Sequence, residues 1–178
     1  MSRIRITGGE WRSRLIQVPN VPGAPGLRPT PDRVRETLFN WLGQDLSGLA
    51  CLDLFAGSGI LGFEAASRGA ERVVLVERER KAFLTLLKHV EKFDSPRLEP
   101  ICCDAVTFAP TARFDLIFLD PPYRQGWLEQ IAPRLPRLAN PGARLYVEAE
   151  HALKELGDWQ TTKSGQAGKV FYHLLEHS

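Results

Sequence analysis

Cysteine is scarce in this chain, three among 178 residues, and none stands at a spacing that holds zinc or supports dithiol chemistry. Cys51 lies in an apolar run while Cys102 and Cys103 are adjacent, so buried packing is their expected role. The four histidines, His89, His151, His173 and His177, have no cysteine or carboxylate partner at ligand spacing, which argues against a metal site. No apolar run approaches the roughly 18 residues of a membrane span. The stretch from Met1 to Glu10 lacks the apolar core and small-residue cleavage site of a secretory signal, and a cytoplasmic protein is expected. Internal repeats and low-complexity tracts are also missing. What remains is an ordinary globular composition, 43% hydrophobic and 25% charged, long enough to bury on the order of 70% of its unfolded surface in one core.

The net charge of +2 is unevenly spread. Residues 1–40 carry seven arginines, Arg3, Arg5, Arg12, Arg14, Arg28, Arg33 and Arg35, against Glu10, Asp32 and Glu36, a net +4. The other 138 residues carry 16 basic and 18 acidic side chains. A short basic arm on a near-neutral body suits an anionic polymer, and the exclusive use of arginine suits bidentate phosphate recognition. A solvated basic surface with no partner has the same composition.

Within the arm, Arg3 to Thr7 alternates charged and β-branched residues, Gly8-Gly9 can form a tight turn, and Trp11 to Val18 alternates again. This predicts a β-hairpin with Arg12 and Arg14 on one face of its second strand. Four prolines between Pro19 and Pro29 then exclude regular structure. A helix is expected directly afterwards, with Thr30 as N-cap, Pro31 at the first helical position, and an apolar stripe through Val34, Leu38, Trp41 and Leu42. The arm with its loop, residues 1–30, is thus distinguished from a single globular unit over 31–178.

Beyond that helix, apolar strands at 49–55, 72–77, 98–102, 114–120 and 143–149 alternate with helices near 59–68, 79–92, 125–138 and 151–156. Such alternation predicts an α/β fold, a mostly parallel sheet with helices on both faces. Trp159 to Lys163 and Lys169 to Leu175 are separated by only five residues, which predicts an antiparallel hairpin at the carboxyl end.

Ligands of such sheets sit beyond the carboxyl ends of the strands. The first strand ends in Asp53-Leu54-Phe55-Ala56-Gly57-Ser58-Gly59, where glycines permit a sharp turn and the following helix aims free N–H groups at a ligand. The run from Gly57 to Gly62 also satisfies the dinucleotide pattern G-x-G-x-x-G, so a nicotinamide cofactor is an alternative. Asp53, four places before the first glycine, better suits the amino group of a methionine moiety than a pyrophosphate. Glu77 ends the second strand at the offset where an acid accepts from ribose hydroxyls, and Asp104 follows the third, where it could accept from an adenine amine or cap a turn. Trp127 and Trp159 are expected in the core or at its rim.

The fourth strand ends in Asp120-Pro121-Pro122-Tyr123. Two prolines stop the strand and fix a rigid loop. The Asp120 carboxylate and Pro121 carbonyl could accept the two N–H bonds of an exocyclic amine and aim its lone pair at a sulfonium methyl, with Tyr123 stacked on the base. The two loops resemble the cofactor and catalytic motifs of class I amino-methyltransferases, which act on adenine N6, cytosine N4, guanine N2 or a glutamine amide. The blocks Arg3 to Arg14 and Gly26 to Trp41 resemble the RsmD-type 16S ribosomal RNA guanine-N2 methyltransferases, and the likeness extends from Arg3 to Glu176.

That resemblance implies a Rossmann-like class I methyltransferase fold preceded by a β-hairpin, with an antiparallel strand at its carboxyl end. It implies S-adenosylmethionine as cofactor, held by Asp53, Phe55, Ala56, Gly57, Gly59, Glu77 and Asp104, and a target amine held by Asp120, Pro121, Pro122 and Tyr123. It further implies 16S ribosomal RNA as partner, within a small subunit or assembly intermediate, gripped by Arg3, Arg5, Arg12, Arg14, Arg28, Arg33 and Arg35, with the enzyme a monomer. An adenine-N6 methyltransferase of DNA or RNA and a non-catalytic RNA-binding module are the alternatives.

Overall fold

The computed structural model describes residues 2–19, 29–123 and 125–177. The chain opens with β1 (Arg3–Arg5) and β2 (Leu15–Gln17), paired antiparallel with Ile4 opposite Ile16. After α1 (Asp32–Leu42), β3 (Ala50–Asp53), α2 (Ile60–Ser67), β4 (Arg72–Val76), α3 (Arg80–Phe93) and β5 (Leu98–Ile101) follow in strict alternation. Then come β6 (Phe114–Leu119), α4 (Trp127–Ile131), a 3-10 turn at Ala132–Arg134, α5 (Leu135–Leu138) and β7 (Ala139–Ala149). β8 (Glu155–Leu156), β9 (Trp159–Ala167) and β10 (Val170–His177) complete one sheet of order β5-β4-β3-β6-β7-β10-β9-β8. Its first five strands are parallel and β10 is antiparallel to β7. The chain moves outward from β3 to β5 and returns to β6 on the other side of β3. Ligand clefts of open α/β sheets form at such a reversal.

Three expectations require correction. The arm is a hairpin, but the alternation of Trp11 to Val18 is not continued pairing: Ser13 donates to the Ile6 carbonyl and Arg14 to the Trp11 carbonyl, making 11–14 a turn. The helix expected over 151–156 is replaced by a loop and β8. Its backbone is already engaged, since Leu153 N–H donates to His173 Nε2 at 2.9 Å and the Thr161 hydroxyl donates to the Leu153 carbonyl at 2.8 Å. The helix expected over 125–138 is broken into short pieces where Pro133 and Pro136 fall.

Helix α2 explains the position of the arm. Its sequence, Ile-Leu-Gly-Phe-Glu-Ala-Ala-Ser, has no polar stripe and every residue is buried, as a helix covered on all sides must be. The sheet covers one side, and Gly62 lets Leu75 approach closer than a Cβ would permit. The arm covers the other side, with Ile6, Trp11 and Ile16 joining Phe63, Phe93 and Leu38 in one cluster. On the opposite face of the sheet, Phe114, Ile117, Leu145, Trp159 and Leu175 form a second cluster with α4 and α5.

A buried charge cluster ties the arm down. The Glu64 carboxylate accepts from Arg35 Nη1 and Arg68 Nη1, both at 2.7 Å, and from the Thr7 amide and hydroxyl at 2.9 and 2.7 Å. Arg35 also donates to the carbonyls of Thr30 and Arg5 and pairs with Asp32.

His173 is buried at the seam of β7 and β10, with Nδ1 3.0 Å from the Val147 carbonyl and Nε2 accepting from Leu153. Both contacts are met only by the neutral ring, and burial lowers its pKa from the usual value near 6.5. The unfolded chain therefore binds a proton that the folded one refuses, so this stabilisation is present above about 6.5 and is lost as pH falls below it. The expected result is that the stability advantage of the parent over His173→Gln, measured by urea unfolding, shrinks below that pH. A difference independent of pH would refute it.

Candidate active site

A cleft opens at the carboxyl ends of β3, β4 and β6, enclosing about 1030 Å³ including its mouth. Asp53, Phe55, Ala56, Gly57, Glu77, Asp120 and Pro122, all expected at the site, line it. The glycine loop turns as the sequence demands, with Gly57 at φ 56° and Gly59 at φ 85°, conformations that L side chains rarely adopt. Gly59 shapes the loop from behind, against Phe63 and Leu86.

Asp53 and Glu77 are held by the backbone. Asp53 Oδ2 accepts from the Gly62 amide at 3.0 Å, and burial pushes its carboxyl up to about 7. Glu77 Oε1 accepts from the Gly57 amide at 2.9 Å and Oε2 from the Glu79 amide at 2.7 Å, while burial raises its pKa. Glu77 thereby ties β4 to the glycine loop. The contact also takes one loop N–H and places a carboxylate beside it, which disfavours the pyrophosphate of a dinucleotide. Each carboxylate oxygen retains a free lone pair for a ligand hydroxyl or ammonium. Asp104 sits apart from the lining, where Oδ1 accepts from Val106 at 3.0 Å and Oδ2 lies 3.6 Å from Arg78. Its neighbours Cys103 and Ala105 face the cleft instead.

Asp120, after the neighbouring strand β6, lines the same cleft. It is half-buried, and burial together with the facing Glu148 raises its pKa well above the usual carboxylate range. Pro121 is buried and Pro122 lines the cleft, whereas Tyr123, 39% exposed, is not part of its lining. The sequence did not point to the residues behind Asp120. Thr30, expected as a helix cap, instead places its hydroxyl 2.6 Å from Glu148 Oε2 and 3.5 Å from Asp120 Oδ2, leaving Pro31 as the N-cap. Tyr146 donates to the same Glu148 oxygen at 2.9 Å. A glutamate inside the apolar run of the fifth parallel strand was the available signal. Trp127 also lines the cleft, with Phe55 against its edge and the Arg78 guanidinium 5.0 Å above its ring.

The arginines divide. Arg3, Arg5, Arg12 and Arg33 are exposed, and Arg5 pairs with Asp32 at 3.2 Å, two residues from the cleft-lining Thr30. Arg35 is 0% exposed and fully committed to the buried cluster, so its expected phosphate contact is excluded. Arg14 is half-buried with its guanidinium 3.9 Å over Phe93. Arg28 lies outside the described residues. Among the described residues, no group of three or more His, Cys, Asp or Glu side chains could hold a metal ion, and no helix is long and apolar enough to cross a membrane.

A family model described as Conserved hypothetical protein 95 matches residues 4–176. Ribosomal RNA small subunit methyltransferase D of Escherichia coli (strain K12) is 40% identical, over 98% of this chain and 90% of that protein. The chain belongs to this RsmD-type family. The solved structure of the Escherichia coli protein yhhF superposes on this RsmD-type chain with a TM-score of 0.86, 38% identity and 99% coverage of each chain. An RNA methyltransferase from Salinibacter ruber, solved with S-adenosyl-L-homocysteine, shares the fold at 17% identity, with a TM-score of 0.65 and coverage of 84% of this chain and 93% of that one. The RsmD-type fold is thus the class I methyltransferase fold with an amino-terminal hairpin.

Proposed function

We propose that this protein transfers a methyl group from S-adenosylmethionine to the N2 amine of a guanine in 16S ribosomal RNA, acting as a monomer on a small subunit or assembly intermediate. One observation carries the reading: Asp120 and Gly57, from the loops after the neighbouring strands β6 and β3, line the same cleft. The donor set fits the cofactor. Carboxylates Asp53 and Glu77 suit its ammonium and ribose hydroxyls, while Leu54, Ile60 and Val76 supply an apolar lining. Bound there, S-adenosylmethionine supplies an electrophilic methyl group on a sulfonium centre.

The chain's own residues position the acceptor. Asp120 and the Pro121 carbonyl accept the amine N–H bonds, and Tyr123 stacks on the base, which must be splayed from any helix to reach the cleft. Exposed Arg3, Arg5, Arg12 and Arg33, with Arg28 from the loop, hold phosphates and set the RNA on the cleft side. The amino-terminal blocks that resemble the RsmD-type family support guanine N2 over another amine. The test is transfer of a labelled methyl group to small subunits lacking the modification, followed by nucleoside mapping. N2-methylguanosine is expected; N6-methyladenosine, or no transfer, overturns the reading.

Replacing Arg3, Arg12 and Arg33 with alanine is expected to weaken RNA binding and flatten its dependence on salt. Each phosphate that is no longer neutralised lowers the log–log slope by about 0.7 to 0.9. Binding measured across a salt series checks this, and an unchanged slope removes the arm as a grip on phosphates.

A further inference from the structure

Two carboxylates meet behind the amine-binding loop with the hydroxyls of Thr30 and Tyr146 and, among the described residues, no cation. Asp120 and Glu148 follow directly on the paired residues Leu119 and Val147 of adjacent parallel strands, so they stand side by side. Among the described residues, neither makes an ion pair. The Thr30 hydroxyl lies between them and has one hydrogen to give. At 2.6 Å from Glu148 Oε2 and 3.5 Å from Asp120 Oδ2, that hydrogen belongs to Glu148. Tyr146 gives the same oxygen a second hydrogen. Glu148 is therefore the stabilised anion, and Asp120 Oδ2 faces a lone pair of Thr30 unless it bears a proton itself.

We infer that Asp120, Thr30 and Glu148 form a proton relay, in which Asp120 rests protonated on Oδ2 and Glu148 is the final acceptor of the proton that the methylated amine sheds. The inference rests on the proposed function. The amine nitrogen takes the methyl group, with the electron pair of the broken sulfur–methyl bond left on sulfur, and then carries one proton too many. That proton passes to Asp120 Oδ1. The proton on Oδ2 moves to the Thr30 oxygen, and the Thr30 hydrogen moves to Glu148 Oε2. One N–H bond is exchanged for one O–H bond on Glu148, and the positive charge on nitrogen and the negative charge on Glu148 disappear together. Among the described residues, the other titratable groups facing this trio are Asp53 from β3 and Tyr146 from β7, with Tyr172 of β10 beyond Tyr146. None of them is a cation, so they favour the shared proton. Thr30, in the cleft lining, and Glu148, outside it, act on the amine through Asp120 as positioning residues.

The experiment has two arms. Infrared difference spectra, recorded above the Asp53 value of about 7, should show a protonated carboxyl band in the parent that is lost in Asp120→Asn. The band should also be lost in Glu148→Gln, where Asp120 ionises. In single-turnover methyl transfer, Thr30→Val should be slower by about a hundredfold, Thr30→Ser should restore the parent rate, and S-adenosylmethionine binding by calorimetry should match the parent in both. Absence of the band in the parent, its survival in Asp120→Asn, or an unslowed Thr30→Val enzyme overturns the relay. A parent that shows the band yet methylates no RNA overturns the proposed function while supporting the shared proton.

Discussion

Asp120→Ala is expected to abolish methyl transfer, by a factor of at least about a thousand, while S-adenosylmethionine binding measured by calorimetry stays close to that of the parent. Removing the carboxyl takes away an acceptor for the amine, and with it the aim of the nitrogen lone pair and the exit for its proton. Orientation and proton transfer each contribute on the order of a hundredfold or more. Binding is spared because the residues suited to the cofactor, Asp53, Glu77 and the Gly57 turn, stand on β3 and β4 and bond to one another and to α2, with no bond to Asp120. Turnover equal to that of the parent would remove Asp120 from the chemistry. A parallel loss of cofactor affinity would mean that the β6 loop shapes the whole cleft.

The second large effect concerns stability. Glu64→Gln is expected to lower the free energy of unfolding by about 3–5 kcal/mol, because Arg68 would remain buried with only neutral partners and Arg35 would keep Asp32 as its one counter-charge. Both guanidiniums approach Glu64 at 2.7 Å, and the side chains of all three are at most 3% exposed. The Thr7 amide, which donates to the same carboxylate, should lose protection against hydrogen exchange in this variant. Urea unfolding gives the first quantity and exchange of that amide the second. A change below about 1 kcal/mol would mean that packing of Ile6, Trp11 and Ile16 holds the arm unaided.

The parallel strands are legible in the residues because each is an apolar run ended by a turn or an acid, a pattern that depends on local order alone. The cleft follows from the same logic, since Asp53, Glu77 and Asp120 all come at strand ends. Alternation around Gly8-Gly9 specifies the hairpin, yet it misplaces Arg14, as the family resemblance misplaces Arg35. Neither periodicity reveals that α2 lacks a polar face and must draw the arm onto itself. Likewise, Thr30 satisfies every local rule for a helix cap, and only the register of β7 against β6 shows that Glu148 claims its hydroxyl. Contacts between residues 118 apart leave no periodic trace in a single chain.

The helix that carries the arm is also the helix whose first turn closes the glycine loop at Gly59. Arm and cleft therefore form a rigid caliper with a set opening between the arginines and Asp120. Under the proposed function such a tool would select its target by measurement, taking a nucleotide when the phosphates around it, in the folded RNA, present it at the matching span.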